Sequence, residues 1–330
     1  MSRRKFMVCS LIVVAFSFVA SGCSGVSNPN LVSRASSAGI QKTPQAAGIW
    51  TVKTPMAHAR TGPAVGVING ILYAVGGIGR CCLLKSLEAY DPATNSWTAK
   101  ASMPTGRFYP AAGVINGKLY VVGGSSDLHN FILSNTLEVY DPATNTWSEK
   151  AKMPTKRVGL AAGVINGILY AVGGCCNSDG NLRAVEAYNP GTNTWTKKAP
   201  LLQRSNYLAA GVVNGILYAV GGRYDAGGAI QAYDPATNSW TFKPYIPTQR
   251  CCLAVGVIDG KLYAVGGMDY NYNILNTLEA YDPATNTWTS EAPMPTAREF
   301  LAAGVVNGVL YAVGGSGFGD GKNVEAFNPQ

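Results

Sequence analysis

Six times along the chain a short apolar segment reaches a two-residue step, continues as a second apolar segment and stops at two glycines. The step is Asn69-Gly70, Asn116-Gly117, Asn166-Gly167, Asn214-Gly215, Asp259-Gly260 and Asn307-Gly308. Asn-Gly and Asp-Gly accept the positive φ angles of a type I′ turn, whose twist matches that of two paired strands. The glycine doublets begin at Gly76, Gly123, Gly173, Gly221, Gly266 and Gly314. Each ends a strand where the backbone leaves no room for a Cβ. A hairpin recurring every 45 to 50 residues, with no helical periodicity between copies, predicts an all-β ring of repeated sheets.

The second copy shows the whole unit. Arg107 to Ile115 reads as a strand of small residues and Lys118 to Gly124 as its hairpin partner. A variable loop runs to about Ser134, and Thr136 to Tyr140 reads as a third strand. Asp141-Pro142-Ala143-Thr144-Asn145 places Asp and Pro where a type I turn prefers them, and Thr146-Trp147-Ser148 opens a fourth strand. Four antiparallel strands per unit make one propeller blade, with the small residues on the innermost strand.

The doublet, a following Tyr and a Trp seven residues beyond it resemble the kelch repeat. Tyr90/Trp97, Tyr140/Trp147, Tyr188/Trp195, Tyr233/Trp240 and Tyr281/Trp288 carry that resemblance. It implies a six-bladed kelch β-propeller over residues 48–330. The sixth unit reaches Phe327 without its Trp, while Trp50 stands alone before the first unit. The expectation is that Trp50 to Met56 supplies the outer strand of the sixth blade and closes the ring.

Residues 1–22 read as an export signal peptide. Arg3, Arg4 and Lys5 precede an apolar run from Phe6 to Ala20. Ala20-Ser21-Gly22-Cys23 resembles a lipobox, with Ala20 where Leu is usual, so Cys23 is the expected lipid-attachment site. The same tripeptide also suits the peptidase that releases soluble proteins. Ser24 resembles the outer-membrane sorting pattern, and the paired arginines resemble a twin-arginine signal as well as an ordinary leader. Residues 23–47 are rich in Ser, Ala, Asn and Gln and read as a flexible tether. The expected location is the outer membrane or cell surface, with a soluble secreted or periplasmic form as the alternative.

Net charge is +8, and about +5 once the three leader cations are removed. The cations are scattered singly, without the basic stripe that nucleic acid requires, so no nucleic-acid partner is expected. A monomer is expected.

Candidate chemistry gathers on the face where the loop after each doublet meets the loop entering each blade. An arginine enters each blade at Arg60, Arg107, Arg157, Arg204, Arg250 and Arg298. Glu88, Glu138, Glu186, Glu279 and Glu325 recur as candidate partners in the third strands. Gln231 breaks the pattern in blade four, which singles out Arg204 as a binder. Phe108, Tyr109, Tyr207, Arg223, Tyr224 and Asp225 share this face with Asp269, Tyr270, Tyr272, Glu299 and Phe300. Aromatics beside hydrogen-bonding groups suit a sugar or a peptide, or else fill the channel mouth.

Six cysteines come as adjacent pairs, Cys81-Cys82, Cys175-Cys176 and Cys251-Cys252, in blades one, three and five. Three readings stand open: vicinal disulfides favoured by an oxidising compartment, a soft-metal thiolate site, and small apolar packing. No metal site and no cofactor are expected. The residues favour a module that binds a protein or glycan over an enzyme. Galactose oxidase is also a kelch propeller, but its copper donor set has no counterpart in His58 and His129. Exported bacterial N-acetylneuraminate mutarotases are kelch propellers of similar size, and Glu299 beside Arg298 could serve acid–base chemistry, so a sugar-active enzyme is the runner-up. An envelope scaffold is the third reading.

Overall fold

The computed structural model describes residues 48–128, 132–176, 180–223, 228, 230–317 and 319–329, the side chains of residues 176, 180 and 181 excepted. The leader, Cys23, the tether, His129, Tyr224 and Asp225 lie outside the described residues. Six four-stranded antiparallel sheets follow one another around a closed ring. Blade two has the strands Ala111–Ile115, Lys118–Val122, Leu137–Asp141 and Thr146–Lys150. The other blades repeat this order, and the innermost strand of each blade packs on that of the next. The strand expected from Arg107 begins only at Ala111. Tyr109 has φ of 50° and Pro110 has no N–H, so the segment before Ala111 cannot join the ladder.

Close approach between blades explains the small residues. A Cβ on Gly163 of blade three would sit 2.3 Å from Leu217 Cδ1 of blade four. The innermost glycines of the other blades meet the equivalent leucines in the same way, ending with Gly304 of blade six against Leu72 of blade one. Leu72, Leu119, Leu169, Leu217, Leu262 and Leu310 are fully buried as a result. Tyrosine pairs bridge the same junctions, among them Tyr73–Tyr140, Tyr170–Tyr233 and Tyr90–Tyr311, with ring centroids 5.6 to 5.8 Å apart.

Each outer corner is built from one sequence motif. In blade one Asp91 accepts the Ala93 N–H at 2.9 Å, and Tyr90 donates its hydroxyl to Asn95 Oδ1 at 2.7 Å. Asn95 itself takes φ of 50°, a conformation Asn tolerates. The Trp that follows donates its indole N–H to the segment leading into its own blade, as Trp97 does to Thr54 O at 2.9 Å and Trp147 to Ala101 O at 2.8 Å.

The sixth blade is assembled from both ends of the described chain. Ile49–Val52 pairs antiparallel with Val324–Asn328 in the register Trp50 to Phe327. Trp50 stacks on Phe327 at 5.2 Å and donates to Ala292 O at 2.8 Å, the same bond the other tryptophans make. Met56 is buried against the sixth-blade strands. Deleting residues 48–56 removes this packing and exposes the Val324–Asn328 edge. The expected loss is about 5 kcal/mol, or roughly 10–20 °C for a domain of this size. A calorimetric scan that shows an unchanged melting temperature would contradict closure by this strand.

Candidate functional site

The loop entering each blade pairs with the loop after its glycine doublet, through short bridges such as Phe108 to Ser125, Asn206 to Arg223 and Glu299 to Ser316. Both loops therefore lie on one face, around the channel. There the chain forms a circle of backbone hydrogen bonds. Gly62 N donates to Phe300 O (2.8 Å), Tyr109 N to Gly62 O (3.1 Å) and Gly159 N to Tyr109 O (3.2 Å). Tyr207 N donates to Gly159 O (2.7 Å), Cys252 N to Tyr207 O (2.8 Å) and Phe300 N to Cys252 O (2.8 Å), which completes the turn. All six residues have positive φ, between 50° and 64°. Non-glycine residues in that region are uncommon, and here the ring holds four of them there.

Around the ring, small and large residues alternate: Gly62, Tyr109, Gly159, Tyr207, Cys252, Phe300. The three large rings fill the mouth. Tyr109 meets Tyr207 at 5.3 Å and Phe300 at 4.6 Å, and Tyr207 meets Phe300 at 5.4 Å. A Cβ on Gly62 would lie 2.1 Å from the Tyr109 ring, so this small position is sterically required. The cavity lined by the ring encloses about 90 Å³, below the roughly 300 Å³ of the smallest usual ligand pockets. Phe108 and Tyr109 are buried, and Tyr109 belongs to the plug. Tyr270 and Tyr272 stand at the rim with 43% and 59% of their surface exposed.

The entering arginines are structural. Arg60, Arg107, Arg157, Arg250 and Arg298 are fully buried, each paired with the glutamate of its own third strand. In blade three Arg157 Nη2 lies 2.8 Å from Glu186 Oε2, and Nη1 donates to Gly173 O of the doublet at 2.7 Å. Burial acts to raise the Glu88 carboxyl. Arg60, His58 and the Ala57 N–H outweigh it and hold the group below the ordinary carboxylate range.

The alignment of Arg204 with these arginines is corrected. The carbonyl of the arginine position accepts the N–H of the preceding blade's second doublet glycine, as Gly124 N does to Arg157 O, and in blade four that acceptor is Ser205. Ser205 is buried and its hydroxyl donates to Gly221 O at 3.1 Å, replacing the guanidinium. Arg204 is one residue earlier and exposed. The buried arginine–glutamate pair is thus replaced in blade four by Ser205 and Gln231, which leave no buried charge at these two positions.

The residue just before each ring member splits the mouth into two halves. Blades one to three place Thr61, Phe108 and Val158 there, whereas blades four to six place Asn206, Cys251 and Glu299. Asn206 is buried, and among the described residues neither its amide oxygen nor its nitrogen has a hydrogen-bond partner. Sequence reasoning missed this residue, and the one-residue slip at Arg204 is what hid it. Glu299 Oε2 is likewise buried without a hydrogen-bond partner among the described residues. Burial pushes the Glu299 carboxyl above its ordinary value of 4.5, against the opposing pull of the Arg223 cation and Ser316. Arg223 stacks on Tyr272 at 5.2 Å, and Tyr270 donates to Gly222 O at 3.0 Å. Asp269 is committed to its own loop, accepting Asn271 N, Asn273 N and Asn273 Nδ2 at 2.8 to 2.9 Å.

The cysteine pairs are not equivalent. The sulfurs of the first and third pairs are near one another without a bond between them. Cys81 and Cys82 are exposed with sulfurs 3.7 Å apart, beside a 270 Å³ hollow lined by His58, Arg80 and Lys322. Cys175 is buried against Phe108 and Val158, and the Cys176 side chain lies outside the described residues. Cys251 and Cys252 are buried with sulfurs 2.9 Å apart. Among the described residues no three His, Cys, Asp or Glu side chains converge as a metal site requires.

A profile described as the Kelch motif matches residues 59–104, 106–154, 156–202, 204–245 and 249–295. The chain belongs to the kelch-repeat family. The five matched kelch units are blades one to five, and the sixth is the blade whose strands are split between the two ends of the sequence. A search of curated proteins returns no match. Among solved structures, one titled "Structure of YjhT" is similar with a TM-score of 0.71 and 18% identity, covering 83% of this chain and 95% of that one. At that identity the likeness concerns the propeller fold.

Two predictions follow from the buried charges. R157S should leave Glu186 buried without its cation and cost about 3–5 kcal/mol. R157S/E186Q, which copies the blade-four pair into blade three, should recover about half of that loss in urea denaturation, and a double variant no better than R157S would contradict the pairing. For Glu299, a folded pKa above the unfolded one means a contribution to stability that is full below about 4.5 and lost as pH rises through the folded value. E299Q should therefore be more stable than wild type at pH 7, and the gap should close by about pH 4. A gap that does not change with pH would contradict the assignment.

Proposed function

We propose that this kelch propeller is an exported, lipid-anchored module that binds a protein or glycan at the rim of blades four to six. The carrying observation is the exposed pair Tyr270 and Tyr272, with Arg223 stacked over the latter, next to the buried polar groups of Asn206 and Glu299. Exposed tyrosines give large contact area at low entropic cost, and their faces suit either a sugar ring or an apolar peptide side chain. Kelch propellers commonly bind proteins, and the filled channel mouth directs recognition outward to the rim. The basic leader start, its apolar run and Cys23 support export and anchoring.

Glu299 favours a second reading, a sugar-active enzyme. Mutarotation needs one group that can give and take a proton at the anomeric centre, and a carboxyl whose hold on its proton is strengthened by burial suits that task. It would act from the same rim, with Tyr270 or Tyr272 as the platform.

The test is a thermal-shift screen of sugars, including sialic acids, followed by capture from envelope extracts. Whatever ligand is found, Y272A and R223A should each weaken it about tenfold, near 1.4 kcal/mol, with Y272A leaving the melting temperature unchanged. Binding indifferent to both variants would refute the rim. C23S should move the chain from the detergent phase to the aqueous phase, and an unmoved chain would refute the anchor. Anomer exchange that E299Q abolishes would establish the enzyme reading.

A further inference from the structure

We propose that Cys251 and Cys252 form a peroxide-reactive dithiol, which closes to a vicinal disulfide when a small hydroperoxide reaches it from the rim. The pair is built into the scaffold. Cys251 pairs with Met268 across a short two-stranded sheet, while Cys252 is a member of the hydrogen-bonded ring, donating to Tyr207 O and accepting from Phe300 N. Cys252 has φ of 60°, and the two sulfurs are brought to 2.9 Å.

That separation decides between uses of the pair. A tetrahedral ion bound by two thiolates at about 2.3 Å holds its sulfurs roughly 3.8 Å apart. The exposed Cys81 and Cys82 sulfurs, at 3.7 Å, stand at such a spacing, whereas Cys251 and Cys252 are too close for it. Their approach leads instead toward a covalent bond of about 2.05 Å.

Burial selects the oxidant. Cys251 and Cys252 are only 2% and 4% exposed, packed with Tyr207 and Phe300, so a protein disulfide cannot dock on either sulfur. A hydroperoxide only a few atoms long can pass. The electrostatics differ between the two thiols. A hydrogen bond from Cys252, with the Arg223 cation, pulls the Cys251 thiol down. Burial pushes Cys252 up, so it keeps its proton. Cys251 is therefore the more readily ionised thiol and the attacker, and Cys252 the resolving thiol.

The chemistry balances with the hydroperoxide as the only other reactant. Cys251 sulfur attacks the outer peroxide oxygen, the O–O bond breaks, and the departing alkoxide or hydroxide takes a proton and leaves as alcohol or water. That proton is the one Cys251 gave up on ionising, and Glu299, whose field acts on both cysteines, is the nearby carboxylate able to take it from Cys251 and pass it to the leaving oxygen. Cys251 is now a sulfenic acid. Cys252 sulfur then attacks Cys251 sulfur, displacing hydroxide, which leaves as water with the Cys252 proton. Two thiols have lost two electrons in total, and the peroxide has gained them.

The full chain, reduced and freed of reductant, would be exposed to hydrogen peroxide, quenched with iodoacetamide and digested with trypsin. Cleavage after Arg250 and Lys261 gives a peptide whose only cysteines are Cys251 and Cys252, and cleavage after Arg80 and Lys85 isolates Cys81 and Cys82 as an exposed reference. The expected result is that the 251–261 peptide loses two hydrogens, resists alkylation, and does so at least about tenfold faster than the 81–85 peptide. In C252S, dimedone should label Cys251, and in R223A the oxidation should slow. The proposal is overturned if the exposed pair oxidises first, or if the 251–261 peptide stays alkylatable once the reference has reacted. It is also overturned if C251S yields a sulfenic acid on Cys252 as readily as C252S does on Cys251. The wild-type comparison alone decides the first two outcomes, so it stands even if a variant fails to fold.

Discussion

The buried arginine at the start of five of the six blades grips in two directions, and the ring of blades rests on that grip. Its side chain holds its own blade, bonding a doublet carbonyl or a neighbouring backbone carbonyl and the third-strand glutamate. Its backbone carbonyl holds the preceding blade, accepting the N–H of that blade's second doublet glycine. A charge with no exposure is tolerable only when its partner is equally fixed, and the glutamates supply this. Blade four shows that the backbone half is the indispensable one. Ser205 keeps the carbonyl contact while arginine and glutamate are both gone.

This two-way grip makes the scaffold regular and so makes its face able to differ. Ring positions alternate by size because three aromatic rings fill one mouth and need small neighbours. The positions just before them do not alternate: Thr61, Phe108 and Val158 stand on one side, and Asn206, Cys251 and Glu299 on the other. Asn206, Cys251 and Glu299 are on blades four to six, and so are Arg223, Tyr270 and Tyr272. Repetition built the frame, and departures from repetition concentrate on one side of it.

Much of the frame was legible in the residues. Asn-Gly steps, glycine doublets and the Tyr–Trp spacing each fix a local geometry, and together they determine six blades and the closure by Trp50. The face was less legible because its meaning depends on one-residue register. Arg204 reads as the sixth member of a series, yet Ser205 holds that place, since a serine hydroxyl can replace one guanidinium bond and no periodicity marks the slip. Likewise Tyr109 and Tyr270 are both tyrosines in loops of one face. Only the positive φ of the ring, invisible in composition, turns the first inward and leaves the second outside. Cys81, Cys175 and Cys251 each open the same Cys-Cys step and have three different surroundings.

The circle of peptide hydrogen bonds around the channel has a chemical corollary. Many anion sites in proteins are made by backbone N–H groups that converge with nothing to bond, as at a helix start or in a nest of turns. Here the six ring N–H groups that could have converged are each consumed by the neighbouring carbonyl, all in one rotational sense, so their dipoles run tangentially and cancel along the axis. The ring itself therefore offers no free main-chain N–H. A negative group that meets the ring is received by side chains, and blade four brings Asn206 and Arg223 to that face.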